Sequence, residues 1–357
     1  MAYKLTSRER FKRMFEHRDA DRVPIIDAPW GATIERWTRE GMPAGMDFRD
    51  FFDLDFLTVF LPDCSPREQF KVIEDTPEYT TYCDRWGCTA KKSKTPGEEM
   101  PLFMEYPLKT SADWPAMKAK MSYSADRIPF AHLEQNFKKW REAGYWIEAQ
   151  VEVGFNVISA YWTGIETFLV ALIEEPEWCL DMVNHNVDLN MQFLDAMWDR
   201  GYEFDSVFWC DDMGYKGSAF FSVEAYRNFL KPAHKKVVDW AHSKGIAAHL
   251  HSCGNVMELV PEFLDLGIDA LNPLEIKAGM DPVKLKREHG DKLLLHGGIN
   301  AMLWPDFDAI EEEIKKTLPI LMQSGGYIFS SDHSVPCDVS LENFKKITEL
   351  AKKLGSY

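Results

Sequence analysis

The segments Ser206-Val-Phe-Trp-Cys-Asp-Asp212 and Ile246-Ala-Ala-His-Leu-His-Ser-Cys-Gly254, with the amphipathic stretch 222–244 between them, decide the fold of this chain. Each begins as a short apolar run of strand length and ends in polar groups. Between them Tyr226, Phe229, Leu230, Val237, Val238 and Ala241 recur near a 3.6-residue period, behind Ser222 and Glu224 as an acidic, capped helix start. A strand, an amphipathic helix and a second strand form a unit whose strands lie parallel, because the helix supplies the crossover.

Working outward, the same rhythm fills the chain. Upstream stand Arg22-Val-Pro-Ile-Ile-Asp27, Asp55-Phe-Leu-Thr-Val-Phe-Leu61 and Tyr145-Trp-Ile-Glu-Ala-Gln-Val151. Downstream follow Asp269-Ala-Leu-Asn272, Lys292-Leu-Leu-Leu-His296 and Gly326-Tyr-Ile-Phe-Ser330. Helical periodicity recurs over 306–323 and 342–354. Eight strands alternating with helices predict an α/β protein, a closed (β/α)8 TIM-type barrel forming a single domain over 1–357. An open doubly wound sheet is the alternative. Alternating β-formers over 69–106 break the rhythm and predict a β-hairpin excursion after the second strand, a lid or subunit-contact element.

Composition narrows the function. The 357 residues are 45% apolar and 27% charged, too hydrophobic for a disordered chain. With 41 Lys and Arg against 57 Asp and Glu, the net charge of −16 argues against nucleic-acid and anionic-membrane partners. Seven cysteines, an odd number without a C-x-x-C pair, do not make a disulfide scaffold. Residues 1–22 lack an apolar leader core, and no run approaches the ~18 apolar residues of a membrane span. A reducing cytoplasm is the expected location.

Chemistry in such a barrel gathers at the carboxyl ends of the strands. Those ends carry Asp27, Trp30, Asp63, Glu152, Asp211, Asp212, His251, Cys253, Asn272, Glu275, His296, Asp332 and His333. Alternate side chains of a strand share a face, so His249, His251 and Cys253 point one way, with His249 too deep to ligate. An imidazole and a thiol two residues apart can reach one zinc ion, and a third donor must come from elsewhere. Cys337, just past the last strand, is that candidate, with His333 competing for the place. Glu152 or Glu275 would be a fourth ligand. Three ligands would leave a position open for substrate, as catalytic rather than structural zinc requires. Asp211 and Asp212 are expected to orient His251, position substrate or cap the following turn. Trp30, Tyr161, Trp162 and Trp209 would wall an apolar pocket, with His296 as a polar donor.

The sequence resembles the uroporphyrinogen decarboxylase superfamily over nearly its whole length. The resemblance is carried by Arg22-Val-Pro24, Gly154-Phe-Asn-Val-Ile-Ser-Ala-Tyr-Trp162, Asp211-Asp-Met-Gly214 and Tyr226-Arg-Asn-Phe-Leu-Lys-Pro-Ala-His-Lys235. It continues through His251-Ser-Cys-Gly-Asn255, Leu295-His-Gly-Gly-Ile299 and Ser340-Leu-Glu-Asn343. It implies a distorted (β/α)8 barrel with its pocket at the strand carboxyl ends. The true decarboxylases place an Arg-Gln-Ala-Gly-Arg segment after the first strand to bind substrate carboxylates. Here Pro29-Trp-Gly-Ala-Thr-Ile-Glu-Arg-Trp37 stands instead, although Asp63, Tyr161 and His333 occupy polar pocket positions of that branch.

The sequence is more similar to the zinc-dependent methyltransferases that work with corrinoid proteins, of the methylcobamide:coenzyme M methyltransferase kind. Their H-x-C motif with a distant cysteine matches His251 and Cys253, and aligning on Leu341-Glu-Asn343 brings the distant cysteine near His333, with Cys337 four residues on. This likeness implies Zn2+ on His251, Cys253 and Cys337 or His333. From their places at the strand ends, catalytic roles are expected for Asp211, Asp212 and His333, and substrate contacts from Trp30, Asp63, Tyr161, Trp162 and His296. The implied reaction exchanges a methyl group between a small molecule, such as a methoxylated aromatic or a thiol, and the cobalt of a separate corrinoid (cobalamin) protein docked on the carboxyl-end face. Tetrapyrrole decarboxylation and a catalytically silent binding barrel are the alternatives.

Overall fold

The computed structural model describes residues 5–95, 98 and 100–357. Its main sheet is parallel and curled, built from β1 (Leu57–Phe60), β6 (Trp146–Val151), β7 (Ser206–Cys210), β8 (Ala247–His251), β9 (Ala270–Asn272), β10 (Leu294–His296) and β11 (Tyr327–Ile328), in that spatial order. Residues 22–27 close the ring. Ile25 bridges Phe329 beyond β11 in parallel, and its carbonyl accepts from Asp55 N at 3.0 Å on the side of β1. All eight apolar runs therefore become staves of a TIM-type barrel.

The closing stave is irregular because its hydrogen bonds go partly to side chains. Asp55, fully buried, accepts from Ile25 N at 2.8 Å and is clasped by Arg22 at 2.5 Å and by Arg10. Two guanidiniums compensate this buried carboxylate, which would otherwise be costly in the core. The clasp ties the first helix, Ser7–Phe15, to the barrel's seam.

The helical stretch predicted over 222–244 forms in three parts. Ser222 caps the short turn Val223–Ala225, a π-helical turn spans Tyr226–Leu230, and an α-helix runs Lys231–Ser243. Pro232 explains the break, since it lacks the N–H that a regular turn would need and its ring crowds the preceding carbonyls. The wide turn brings Tyr226 and His234 together at 3.0 Å.

The excursion expected as a hairpin over 69–106 is larger than that. It is a four-stranded antiparallel sheet of β2 (Lys71–Asp75), β3 (Tyr79–Cys83), β4 (Thr89–Ser93) and β5 (Leu102–Glu105), in sequential order. One face rests on the barrel through buried Ala90 and through Phe103, whose ring meets Tyr161 at 5.6 Å. All seven cysteines are free. Among the described residues no single helix is long and apolar enough to cross a membrane.

Candidate metal centre and cavity

A cavity of about 670 Å³ opens at the carboxyl ends of the strands. Trp30, Ile34, Phe48, Val59 and Phe208 give it apolar walls, while Asp27, Glu148, Cys210, His251, Cys253, Asn272, His296 and His333 supply polar groups. Among the described lining residues Arg49 is the one lysine or arginine, and Asp47 holds it at 2.6 Å.

The chain turns sharply after β8, and three hydrogen bonds pin the turn. Ser252 N donates to Asn272 O at 2.8 Å, Cys253 N to Asp212 Oδ1 at 2.8 Å, and Gly254 N to Glu275 Oε2 at 2.7 Å. Gly254 has φ +80° and passes so close to Gly214 that a Cβ would lie 2.1 Å from its carbonyl carbon. Only glycine fits both the left-handed backbone and that approach. Glu275 is thus spent on anchoring the turn, and its other oxygen faces Lys277 at 3.2 Å.

The turn delivers three donor groups to one point. His251 Nε2 lies 3.3 Å from Cys253 Sγ and 3.5 Å from Asp212 Oδ1. The ligand atoms of these three residues all fall within 4.8 Å of one another. Zinc–ligand lengths of about 2.0–2.3 Å at tetrahedral angles separate donor atoms by roughly 3.3–3.6 Å, so both measured separations suit a shared ion. On the far side of the ring, His251 Nδ1 meets Asn272 Oδ1 at 2.5 Å, while Asn272 Nδ2 donates to His296 O at 3.2 Å. The second bond fixes which way the amide points. Nδ1 therefore carries the proton, and the Nε2 lone pair faces Cys253 and Asp212. Burial, reinforced by Asp212, Glu275 and Cys210, pushes the Cys253 thiol far above its ordinary pKa. A donor set of thiol, imidazole and carboxylate suits a divalent cation, whose charge reverses that penalty.

The other sequence candidates divide. Trp30, His333 and His296 all line the cavity, the rings of Trp30 and His333 lying 6.1 Å apart. Cys337 is not brought into the donor group and does not line the cavity. Its carbonyl instead accepts from Arg36 at 3.0 Å. Asp211 turns away from the cavity and is fully buried, accepting from His234 Nε2 at 2.8 Å and Asn156 N at 2.6 Å. Asp63 faces Arg67 at 2.9 Å and Ser65 at 2.6 Å, anchoring the base of the excursion. Glu152 accepts from the buried Cys64 thiol at 3.2 Å. Tyr161 stacks on Trp86, and Trp162 is buried against Trp114. The sequence reading passed over Glu148 and Gln150 of β6 and Cys210 of β7. Their signal was parity, since 148 and 150, 208 and 210, and 249 and 251 alternate onto the barrel interior.

A family model described as uroporphyrinogen decarboxylase (URO-D) matches residues 153–354. The uroporphyrinogen decarboxylase of Oceanobacillus iheyensis is 26% identical over 180 residues, which are 50% of this chain and 49% of that protein. That of Staphylococcus haemolyticus is 24% identical over 213 residues, 58% and 55% of the two chains. The chain spans about half the length of the curated relatives it matches. A solved structure of a methyltransferase from Methanosarcina mazei shares the fold, with a TM-score of 0.66 and 17% identity over 98% of this chain and 99% of that one.

Proposed function

The chain belongs to the uroporphyrinogen decarboxylase (URO-D) family, and on that premise we propose that it is a zinc-dependent methyltransferase. In this reading it moves a methyl group between a small molecule and the cobalt of a separate corrinoid protein. The observation that carries the reading is the convergence of His251, Cys253 and Asp212 at separations of 3.3 and 3.5 Å. The fold shared with the Methanosarcina mazei methyltransferase agrees with it.

His251 and Cys253 are the fixed donors, and Asp212 takes the third place that the sequence left to Cys337 or His333. Bound zinc supplies Lewis acidity to a substrate oxygen, nitrogen or sulfur. Asn272 holds His251 in the ligating tautomer, so no ring reorientation is needed on binding. The apolar walls exclude water from the reacting atoms, and Trp30 and His333 border the space where a flat substrate would lie. The carboxyl-end face is where the corrinoid partner would dock, since the cavity opens there.

Decarboxylation of an octacarboxylate tetrapyrrole is the weaker reading, because the cavity's single described arginine is already clasped by Asp47. The test is to load purified protein with zinc and supply a reduced corrinoid protein with a methoxylated aromatic. Methyl-cobalt formation followed by absorbance, dependent on zinc and on Cys253, is the expected result. Consumption of uroporphyrinogen by metal-free protein would instead establish decarboxylation. Absence of both activities and of zinc binding would leave a silent binding barrel.

A further inference from the structure

Glu148, His249 and His296 form a second polar constellation that the proposed chemistry leaves unused. Glu148 is 2% exposed, and its Oε1 accepts from His249 Nδ1 at 2.9 Å and from Ser206 Oγ at 2.8 Å. The opposite nitrogen of His249 faces His296 Nδ1 at 3.3 Å. His249 is fully buried, with the rings of Phe15 and Phe208 set edge-on to it. One hydrogen-bonded chain thus crosses the barrel interior from β6 through β8 to β10. His296 and Glu148 both line the cavity, and His296 Nε2 has no hydrogen-bond partner among the described residues.

We propose that this chain is polarised from His296 through His249 to Glu148, so that His296 Nε2 presents a bare lone pair to the cavity and binds the phenolic hydroxyl of an aromatic substrate. A carboxylate only accepts, so the His249 nitrogen against Glu148 carries the hydrogen. With His249 neutral, its other nitrogen accepts from His296 Nδ1–H, and the singly protonated His296 imidazole leaves Nε2 as an acceptor. Burial, with His249 and His251 adding to it, pushes the His296 pKa well below the ordinary histidine range, which keeps the ring uncharged. A neutral acceptor in a cavity without a free described cation selects a neutral donor over a carboxylate. Trp30, Phe48 and Phe208 offer flat walls to an aromatic ring. His296 ends β10 and His251 ends β8, with Asn272 of β9 between them, bonded to both. The lone pair and the metal-compatible donors therefore address one shared cavity.

The inference rests on the cavity being the substrate site of the proposed function, but not on zinc or methyl transfer. The test is calorimetric binding of 4-methoxyphenol and 1,4-dimethoxybenzene, which differ by one hydroxyl proton. The phenol should bind the native protein at least about tenfold more tightly, because the buried acceptor is otherwise left unpaired. That preference should vanish in His296→Leu and persist in Cys253→Ala. Should His296→Leu fail to fold, nitrogen-15 spectra of the native protein decide, with His296 Nε2 expected unprotonated and its tautomer loosened in Glu148→Gln. Equal binding of the two probes, a preference surviving in His296→Leu, or a protonated Nε2 would each overturn the proposal. A preference retained alongside absent zinc binding would sink the methyltransferase reading and leave this one standing.

Discussion

Asp211 and Asp212 are consecutive in the chain, yet their carboxylates serve opposite sides of the barrel wall. Asp211 points outward to His234 Nε2 at 2.8 Å with no exposure, while Asp212 stands 3.5 Å from His251 Nε2 beside the cavity. This division gives the two residues separable consequences.

Asp211→Ala should destabilise the fold by about 3 kcal/mol, since it strands a buried imidazole and a buried backbone N–H. Asp212→Ala should cost no more than about 1 kcal/mol, the worth of the one backbone hydrogen bond it accepts, from Cys253 N, at a partly exposed site. Urea unfolding midpoints of the two variants compare them directly. Equal losses would refute the assignment of Asp211 to architecture and Asp212 to the site.

Metal binding should follow the geometry. Purified protein is expected to hold about one zinc per chain, the ratio of a single three-donor site, and to lose it in His251→Ala and Cys253→Ala. Asp212→Ala should weaken affinity at least about tenfold, and Asn272→Leu by about 10–100-fold through loss of the ring's orienting partner. Cys337→Ala should leave affinity unchanged in a chelator competition. Loss of zinc in that variant would transfer the third place back to Cys337.

Gly254 tests the turn that carries Cys253. Gly254→Ala would set a Cβ 2.1 Å from the Gly214 backbone at φ +80°. A cost above about 2 kcal/mol is expected, together with loss of zinc, because strained backbone must shift with it. Gly217, at φ +103° but with nothing within 4 Å of a Cβ, is the control. Its alanine variant should cost about 1 kcal/mol and keep the metal site.

Asp27 confers a pH dependence on stability. Burial raises its pKa from 3.8 to about 6, with hydrogen bonds from Ser331 and Ala28 only partly offsetting the effect. The folded chain therefore binds more protons than the unfolded chain between these two values, and the residue's contribution falls as pH rises from about 4 to about 6. Asp27→Asn should flatten that part of the stability profile, measured as denaturation midpoint against pH. A profile unchanged by the substitution would show that Asp27 titrates normally.

The strands were legible because each is a local pattern. All eight apolar runs appear as staves, and the H-x-C pair needs only the alternation of one strand to place both side chains together. The third donor was not legible. Asp212 comes from the end of β7, and Asn272, which orients His251, comes from the end of β9. The side chain of Cys337 depends on the path of the loop after β11, for which no periodicity exists. Asp211 and Asp212 could not be told apart either, because parity is lost once the chain leaves the strand into a turn.

By itself, then, the sequence located the eight staves and set His251 and Cys253 on one face of β8, since backbone geometry imposes periods of two and 3.6 on any buried face. Only the tertiary structure decided that Asp212 completes the donor group and Asp211 does not. It alone aligned Glu148, His249 and His296 into one chain. Those choices depend on the register between neighbouring strands, where a shift of one residue turns a side chain from the cavity to the helical layer.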